Sequence, residues 1–354
     1  MEKRIHYIDM IRALAILLIV FGHIIAHCNK LSNVSHYIQS FHVPIFFVVS
    51  GFLFNVKKGK KYINFLWAKF KRIMIPYFIF GILFLVPYFL LGADVSDSLN
   101  INNKLSIGKS LFGIIYGNGH EQLLKQNSSL WFLPCLFVMY QIFYLIDYKK
   151  NKTKGNKKLQ EYIIFFILVV LGFINYIIPH VRLPWGLDIA ISLSVFFELG
   201  IIIRRIKEEN KKIFVDNYII AVVLLLIGGI VAFINKEVSC MNYFFGNYLL
   251  FLLSAIFTIT GIFILFSKLP RIKFFEEIGK QTMGILIFHK LIVIVFQTKL
   301  GMLSTMLKSG NITVQVLLSI ITLIVTVLSC FVPIILINKF CPFLLGNSKK
   351  AAKE

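Results

Sequence analysis

Four ionisable residues lie in the first long apolar stretch, about residues 8–28, and their spacing places them on one side of a helix. They are Asp9, Arg12, His23 and His27. At about 100° per residue, the eleven steps from Arg12 to His23 leave the two side chains about 20° from eclipsed. Asp9 and His27 lie three and four residues beyond this pair, so they extend the same face.

Such a face can hold a cofactor at one end and do acid–base chemistry at the other. Arg12 and His23 would be separated by about 16 Å along the helix axis. A permanent cation can bind an anionic cofactor, and an imidazole titrates near neutrality. Two structural alternatives remain: Arg12 extending to lipid headgroups beside Asp9, and His23 as a hydrogen-bonded core histidine.

The composition indicates that this helix belongs to a membrane protein. Hydrophobic residues make up 58% of the 354 and charged residues 15%, against about 25% charged in a soluble domain. Mean hydropathy is +0.79. Apolar runs long enough to cross about 30 Å of hydrocarbon recur along the chain.

We therefore predict an all-α, polytopic membrane bundle of ten transmembrane helices. Residues 1–340 form one transmembrane domain, and residues 341–354 form a short basic cytoplasmic tail. The first helix is retained, because no small-residue cleavage pattern follows it. The predicted spans are 8–28, 41–56, 73–92, 129–147, 160–178, 187–203, 217–234, 247–266, 282–299 and 312–338.

The distribution of the net charge of +22 along the chain indicates how the chain crosses the membrane. With the N-terminus inside, 28 of the 38 Lys and Arg residues fall in cytoplasmic segments and 8 in external ones. This bias predicts that both termini are cytoplasmic. No basic face interleaves with polar helix, which argues against a nucleic-acid partner. The five cysteines are widely spaced, without a CxxC or Cys/His pattern, so we expect neither disulfides nor a metal site.

Several motifs, in this order, resemble the membrane acyltransferase-3 family over about residues 5–295. The first is its Asp-x-x-Arg-x-x-Ala opening, followed by an arginine-to-histidine interval of eleven. Ala13 departs from the glycine common after that arginine. The other matching stretches are Ser40–Gly51, Lys69–Tyr77, Leu130–Leu133, Leu183–Asp188, which is similar to the fucose 4-O-acetylase-like subgroup, and Ile278–His289.

This resemblance implies an acyl-CoA donor, most often acetyl-CoA, and a carbohydrate hydroxyl as acceptor. The saccharide would be cell-surface or lipid-linked, including polyprenyl-linked forms. The expected location is a bacterial plasma or inner membrane, among its lipids, with no metal cofactor. The resemblance leaves the sugar, the acyl group and the oligomeric state open.

The expected catalytic residues are His23, Arg12 and Asp9. His23 is either a general base towards the hydroxyl or the carrier of an acyl-histidine intermediate. Arg12, with Lys69, Lys71 and Arg72, is expected to hold the CoA phosphates. Topology alone would also explain the two lysines.

The expected substrate-binding residues are intramembrane polar groups and one tryptophan. Ser50 could instead be a packing residue, and Trp131 an interfacial anchor. Glu198 could pair with an intramembrane cation. The full set is His27, His42, Ser50, Trp131, Glu198, His289 and Lys290.

A transporter or flippase of a lipid-linked saccharide is the alternative function. It would also need many spans and a polar cavity, and it accounts for Arg12 and His289. It gives no reason for the spacing of Arg12 and His23.

Overall fold

A computed structural model describes residues 5–26, 28–56, 61–90, 106–119, 123–153, 155–179, 181–209, 218–235, 237–299 and 311–347. Across these ranges the regular structure is helical, apart from one isolated bridge between Ser239 and Phe244. The α-helices are α1 His6–Ile25, α2 Ser32–Phe41, α3 Pro44–Phe52, α4 Tyr62–Lys69, α5 Ile75–Leu83, α6 Leu85–Leu90, α7 Ile107–Tyr116, α8 Phe132–Lys152, α9 Lys157–Ile177, α10 Leu187–Glu209, α11 Tyr218–Ile234, α12 Tyr248–Lys268, α13 Lys273–Lys280, α14 Thr282–Lys299 and α15 Ile312–Phe340.

Among the described residues, seven helical stretches are long and apolar enough to cross a membrane. An eighth results if α13 and α14, which are bent by 79°, count as one span. The predicted spans 41–56 and 217–234 instead contain shorter helices. In the first, α2 ends at Phe41 and α3 covers only Pro44–Phe52, starting at a proline that lacks the N–H a continuous helix needs. An all-helical multi-pass protein is therefore confirmed, and the count of ten is not.

Asparagine side chains start three of the long helices. Asn156, Asn247 and Asn311 each accept hydrogen bonds from backbone N–H groups in the first turn of α9, α12 and α15. Those N–H groups have no partner within their own helix, so an N-cap is worth about 1 kcal/mol. The caps fix where each helix begins.

Burial separates central from peripheral helices. In the most apolar window of α10, 83% of the residues are buried, against 17% in α9 and 28% in α15. A membrane helix that buries little of itself in protein presents its apolar side chains to lipid. We therefore place α10 at the centre of the bundle, and α9 and α15 at its lipid-facing edge.

The close packing of α1 on α13 depends on a glycine. A Cβ built on Gly279 would lie 1.9 Å from the backbone oxygen of Asp9. Only a residue without a side chain allows the two backbones to approach this closely. This contact fixes the part of α1 that carries Arg12 against the start of α14.

We expect Gly279→Ala to lower stability in detergent by about 1–3 kcal/mol, because its methyl group cannot fit against the Asp9 backbone. The measurement is the thermal unfolding temperature of the purified protein. The matched control is Gly108→Ala in α7, where nothing lies within 4 Å of the added Cβ. Equal melting temperatures for the two variants would contradict the packing argument.

Candidate active site

Four segments meet around two cavities: α1, the α2–α3 corner, α14, and α8 with the short 3-10 turn Ser128–Trp131 before it. We name the cavities after their most distinctive side chains. The histidine cavity, of about 210 Å³, contains His23 and His42. The arginine cavity, of about 230 Å³, contains Arg12 and Arg72. Arg12 and His23, expected on one face of α1, therefore line different cavities.

The histidine cavity is rich in groups that can exchange hydrogen bonds with a polyhydroxyl molecule. Trp131 adds an aromatic surface, and the loop between α11 and α12 contributes part of the wall. None of its lining residues among those described is a carboxylate. The polar side chains in its wall are His23, Gln39, His42, Ser128, Ser129, Ser239 and Lys290.

His23 is accompanied by a second histidine from a distant part of the chain. The ring centroids of His23 and His289 are 5.3 Å apart. The His289 Nδ1 lies 2.8 Å from the Ile285 carbonyl oxygen, and its Nε2 lies 3.5 Å from Ser129 Oγ. A carbonyl only accepts, so Nδ1 carries the proton and Nε2 is the acceptor. His289 is fully buried behind His23.

His42 is held in the same way at the corner between α2 and α3. Its Nδ1 lies 2.9 Å from the carbonyl oxygen of Ile38, one turn back. This bond assigns the proton to Nδ1 and leaves Nε2 as the ring atom able to accept a proton or hydrogen bond. Two of the three clustered histidines are thus fixed in orientation by backbone carbonyls.

The turn before α8 is tied to α14. Asn127 donates from its side-chain amide to the Ile287 carbonyl at 2.7 Å. The Lys290 ammonium donates to Ser128 Oγ. These contacts hold Lys290 and His289 in register with Ser128 and Ser129, so the middle of α14 is positioned by the polar residues that precede Leu130.

The loop wall of the histidine cavity is held by an ion pair. Arg182 donates to the buried Asp188 carboxylate and, at 3.1 Å, to the Met241 carbonyl. Met241 and Cys240 both line the cavity. Burial raises the pKa of the Cys240 thiol to about 12, so it is protonated at neutral pH and is a poor nucleophile. The Leu183–Asp188 motif thereby positions the cavity wall.

The arginine cavity concentrates positive charge. Four cationic side chains line it, Arg12, Lys69, Arg72 and Lys280, and none of its described lining residues is a carboxylate. Arg12 itself donates to Thr282 Oγ1 at 2.8 Å and lies 3.4 Å from an Asp9 oxygen. Asp9 is buried and orients the guanidinium from behind.

A π-helical turn, Phe70–Met74, connects α4 to α5 and sets which basic side chains reach this cavity. Lys69 lies 3.4 Å from the centre of the Tyr140 ring, within the cavity wall. Lys71 lies instead over Trp67, at 5.9 Å, and does not line the cavity. Of the predicted phosphate ligands, Lys71 alone is therefore placed elsewhere by the structure.

The predicted substrate-binding residues do not all lie in one cavity. His42, Trp131 and Lys290 line the histidine cavity, whereas Ser50, predicted to bind substrate, lines the arginine cavity. Glu198 is buried in α10 and lines neither cavity. Its electrostatic neighbours are Lys150, Glu161, Arg205 and Asp147, so the structure does not support pairing with the site's cations. His27 lies outside the described residues.

Sequence reasoning missed several residues that the structure places in the cavities. Lys280 and Thr282 join the arginine cavity because the chain bends between α13 and α14. Both stand inside the Ile278–His289 motif, so the signal was present. Gln39, Ser128 and Ser129 are ordinary polar residues beside recognised motifs, and only three-dimensional proximity identifies them.

Among the described residues, no group of three His, Cys, Asp or Glu side chains is arranged to hold a metal ion. An anionic organic molecule suits the arginine cavity better, given its four cations. Fold and site together define an integral membrane protein with a basic cavity joined to a histidine-lined one.

A family model described as an acyltransferase domain, the acyltransferase-3 model, matches residues 5–332. The chain belongs to this family and is a membrane acyltransferase. No curated protein and no solved structure matches the chain significantly.

Proposed function

We propose that this protein is an O-acetyltransferase that moves an acetyl group from cytosolic acetyl-CoA to a hydroxyl of a cell-surface or lipid-linked saccharide. One observation carries the proposal: α1 presents a cation to one cavity and a histidine to the next, and the two cavities adjoin. The Leu183–Asp188 motif favours the fucose 4-O-acetylase-like subgroup. Bacterial origin and the plasma or inner membrane as its location are part of this proposal.

The arginine cavity is the donor end. Arg12, Lys69, Arg72 and Lys280 would hold the phosphates of CoA by charge-assisted hydrogen bonds. Arg12 also pairs with Asp9, and Lys280 with Glu277, so the CoA phosphates would be bound beside these ion pairs and not by unpaired cations. In the orientation that the charge bias predicts, Arg12 lies near the cytoplasmic boundary, where acetyl-CoA would reach it.

The histidine cavity is the acceptor end. Ser128, Ser239 and Gln39 offer hydrogen bonds to sugar hydroxyls, and Trp131 offers a face for a sugar ring. His42 Nε2 and Lys290 add an acceptor and a donor. A saccharide fits because its recognition needs many neutral polar groups beside an aromatic surface.

His23 performs the proton transfer. As the acceptor oxygen bonds to the acyl carbon, its hydroxyl proton passes to the His23 ring; the carbon–sulfur bond then breaks, and the ring returns the proton to the thiolate sulfur. Lys290 and Ser129, which line the same cavity, would stabilise the oxyanion between these steps. An acyl-histidine route would use the same geometry, with the ring nitrogen attacking first.

Sided transfer tests the proposal. Inverted membrane vesicles containing the protein are given [14C]acetyl-CoA outside, on the cytoplasmic face. We expect labelled glycan in the vesicle lumen and no label with His23→Asn. Label only on the CoA side would overturn the sidedness, and no label in glycan from either side would overturn the function. Loss of glycan export with acetylation intact in His23→Asn would identify a transporter.

A further inference from the structure

Four residues line both cavities: Ile19, Phe46, Phe132 and Leu286. Each comes from a different segment, in order α1, α3, α8 and α14. We call them the apolar layer. All four are apolar. The charged and hydroxyl side chains of the site line only one of the two cavities, either the histidine cavity or the arginine cavity.

Three of these segments carry side chains in the same order along the axis: a polar residue of the histidine cavity, an apolar residue of the layer, and a polar residue of the arginine cavity. On α3 and the corner before it, His42, Phe46 and Ser50 follow at steps of four residues. On α14, Lys290, Leu286 and Thr282 do the same. Four residues are about 6 Å of helix, so the polar ends are separated by about 12 Å with one apolar side chain between them.

On α1 the order is again His23, Ile19 and Arg12. In the layer itself, the rings of Phe46 and Phe132 meet edge to face with centroids 5.7 Å apart. Such aromatic pairs hold a defined geometry. The layer thus separates the two cavities by the thickness of one apolar side chain.

We propose that the apolar layer selects the acyl group by its width, admitting unbranched acyl groups and excluding branched ones. The inference rests on the proposed function, because it requires a donor held at Arg12 to deliver its acyl end to His23. An unbranched acyl group, with its carbonyl oxygen, is no wider than the amide groups of the pantetheine arm. A branch beside the carbonyl widens the group at the point that must pass the two rings.

The test compares [14C]acetyl-CoA with [14C]isobutyryl-CoA, each supplied to membranes of a deletion strain complemented with one variant. Phe46→Ala and Phe132→Ala remove the rings that narrow the passage. We expect the ratio of isobutyryl to acetyl incorporated into glycan to rise about 10- to 200-fold, the usual range for relieving one methyl-sized clash. The matched control is Phe251→Ala, a fully buried ring of α12 that packs against Phe196 and Phe245 and lines neither cavity.

A second variant acts in the opposite direction. Ile19→Trp fills the passage, so acetyl transfer should be lost while binding of unacylated CoA to the purified protein is kept. Retained CoA binding shows that the variant is folded and that its arginine cavity is intact.

Each outcome bears on a different claim. If wild type transfers acetyl and the widened variants keep the wild-type ratio, or shift it no more than Phe251→Ala, the selection inference is wrong. Full acetyl transfer by Ile19→Trp would also overturn it. If wild type neither binds CoA nor transfers acetyl, the proposed function itself fails.

Discussion

We expect His23→Asn to reduce acetyl transfer about 10²–10⁴-fold, because a positioned general base contributes that much to a proton-transfer step. Asparagine keeps a polar side chain of similar size but cannot take up the hydroxyl proton. The measurement is initial-rate incorporation of [14C]acetyl into glycan. Binding of CoA should be unchanged, because His23 does not line the arginine cavity.

Two other histidines test this assignment. His36→Asn is the matched control, since His36 belongs to α2 and lines neither cavity. His289 contacts the His23 ring without lining the cavity, so we regard it as a positioning residue. Full loss of activity in His289→Asn, with activity kept in His23→Asn, would transfer the role of base to His289.

We expect Arg12→Gln to raise KM for acetyl-CoA about 10- to 100-fold, because a charge-assisted hydrogen bond contributes about 1.5–3 kcal/mol. The maximal rate at saturating donor should change much less, since Arg12 lies away from the reacting atoms. Arg72→Met should act in the same direction, as Arg72 lines the same cavity.

Lys71→Met is the matched control for these variants. It removes one positive charge from the same π-helical turn, but the side chain contacts Trp67 outside the cavity. We expect its KM to equal that of wild type. Equal increases in all three variants would mean that overall charge, and not the cavity, attracts the donor.

The helical period accounts for what the sequence could predict about the site. Arg12 and His23 share a face of α1 because eleven residues make nearly three full turns, and such a relation depends only on local geometry. The contact of His23 with His289 joins residues 266 positions apart, so no local rule predicts it.

Breaks in the helices account for most of the differences. The predicted span 41–56 assumed one continuous helix, but α2 ends at Phe41 and α3 extends only from Pro44 to Phe52. His42 and Ser50 reach different cavities because they are eight residues apart along this segment. Glu198 shows a further limit. An ionisable residue in a span indicates a polar neighbour, but the sequence does not say which of several neighbours is near.

The bend between α13 and α14 has a consequence for mutational analysis. α14 begins at Thr282, and both Thr282 and Met283 line the arginine cavity. The first N–H groups of any α-helix lack partners in that helix and carry its positive dipole end. We therefore expect the peptide backbone to add to any attraction for an anion, and every side-chain substitution leaves that backbone in place. Replacing all four cations should lower the affinity of the arginine cavity for the CoA donor without abolishing binding.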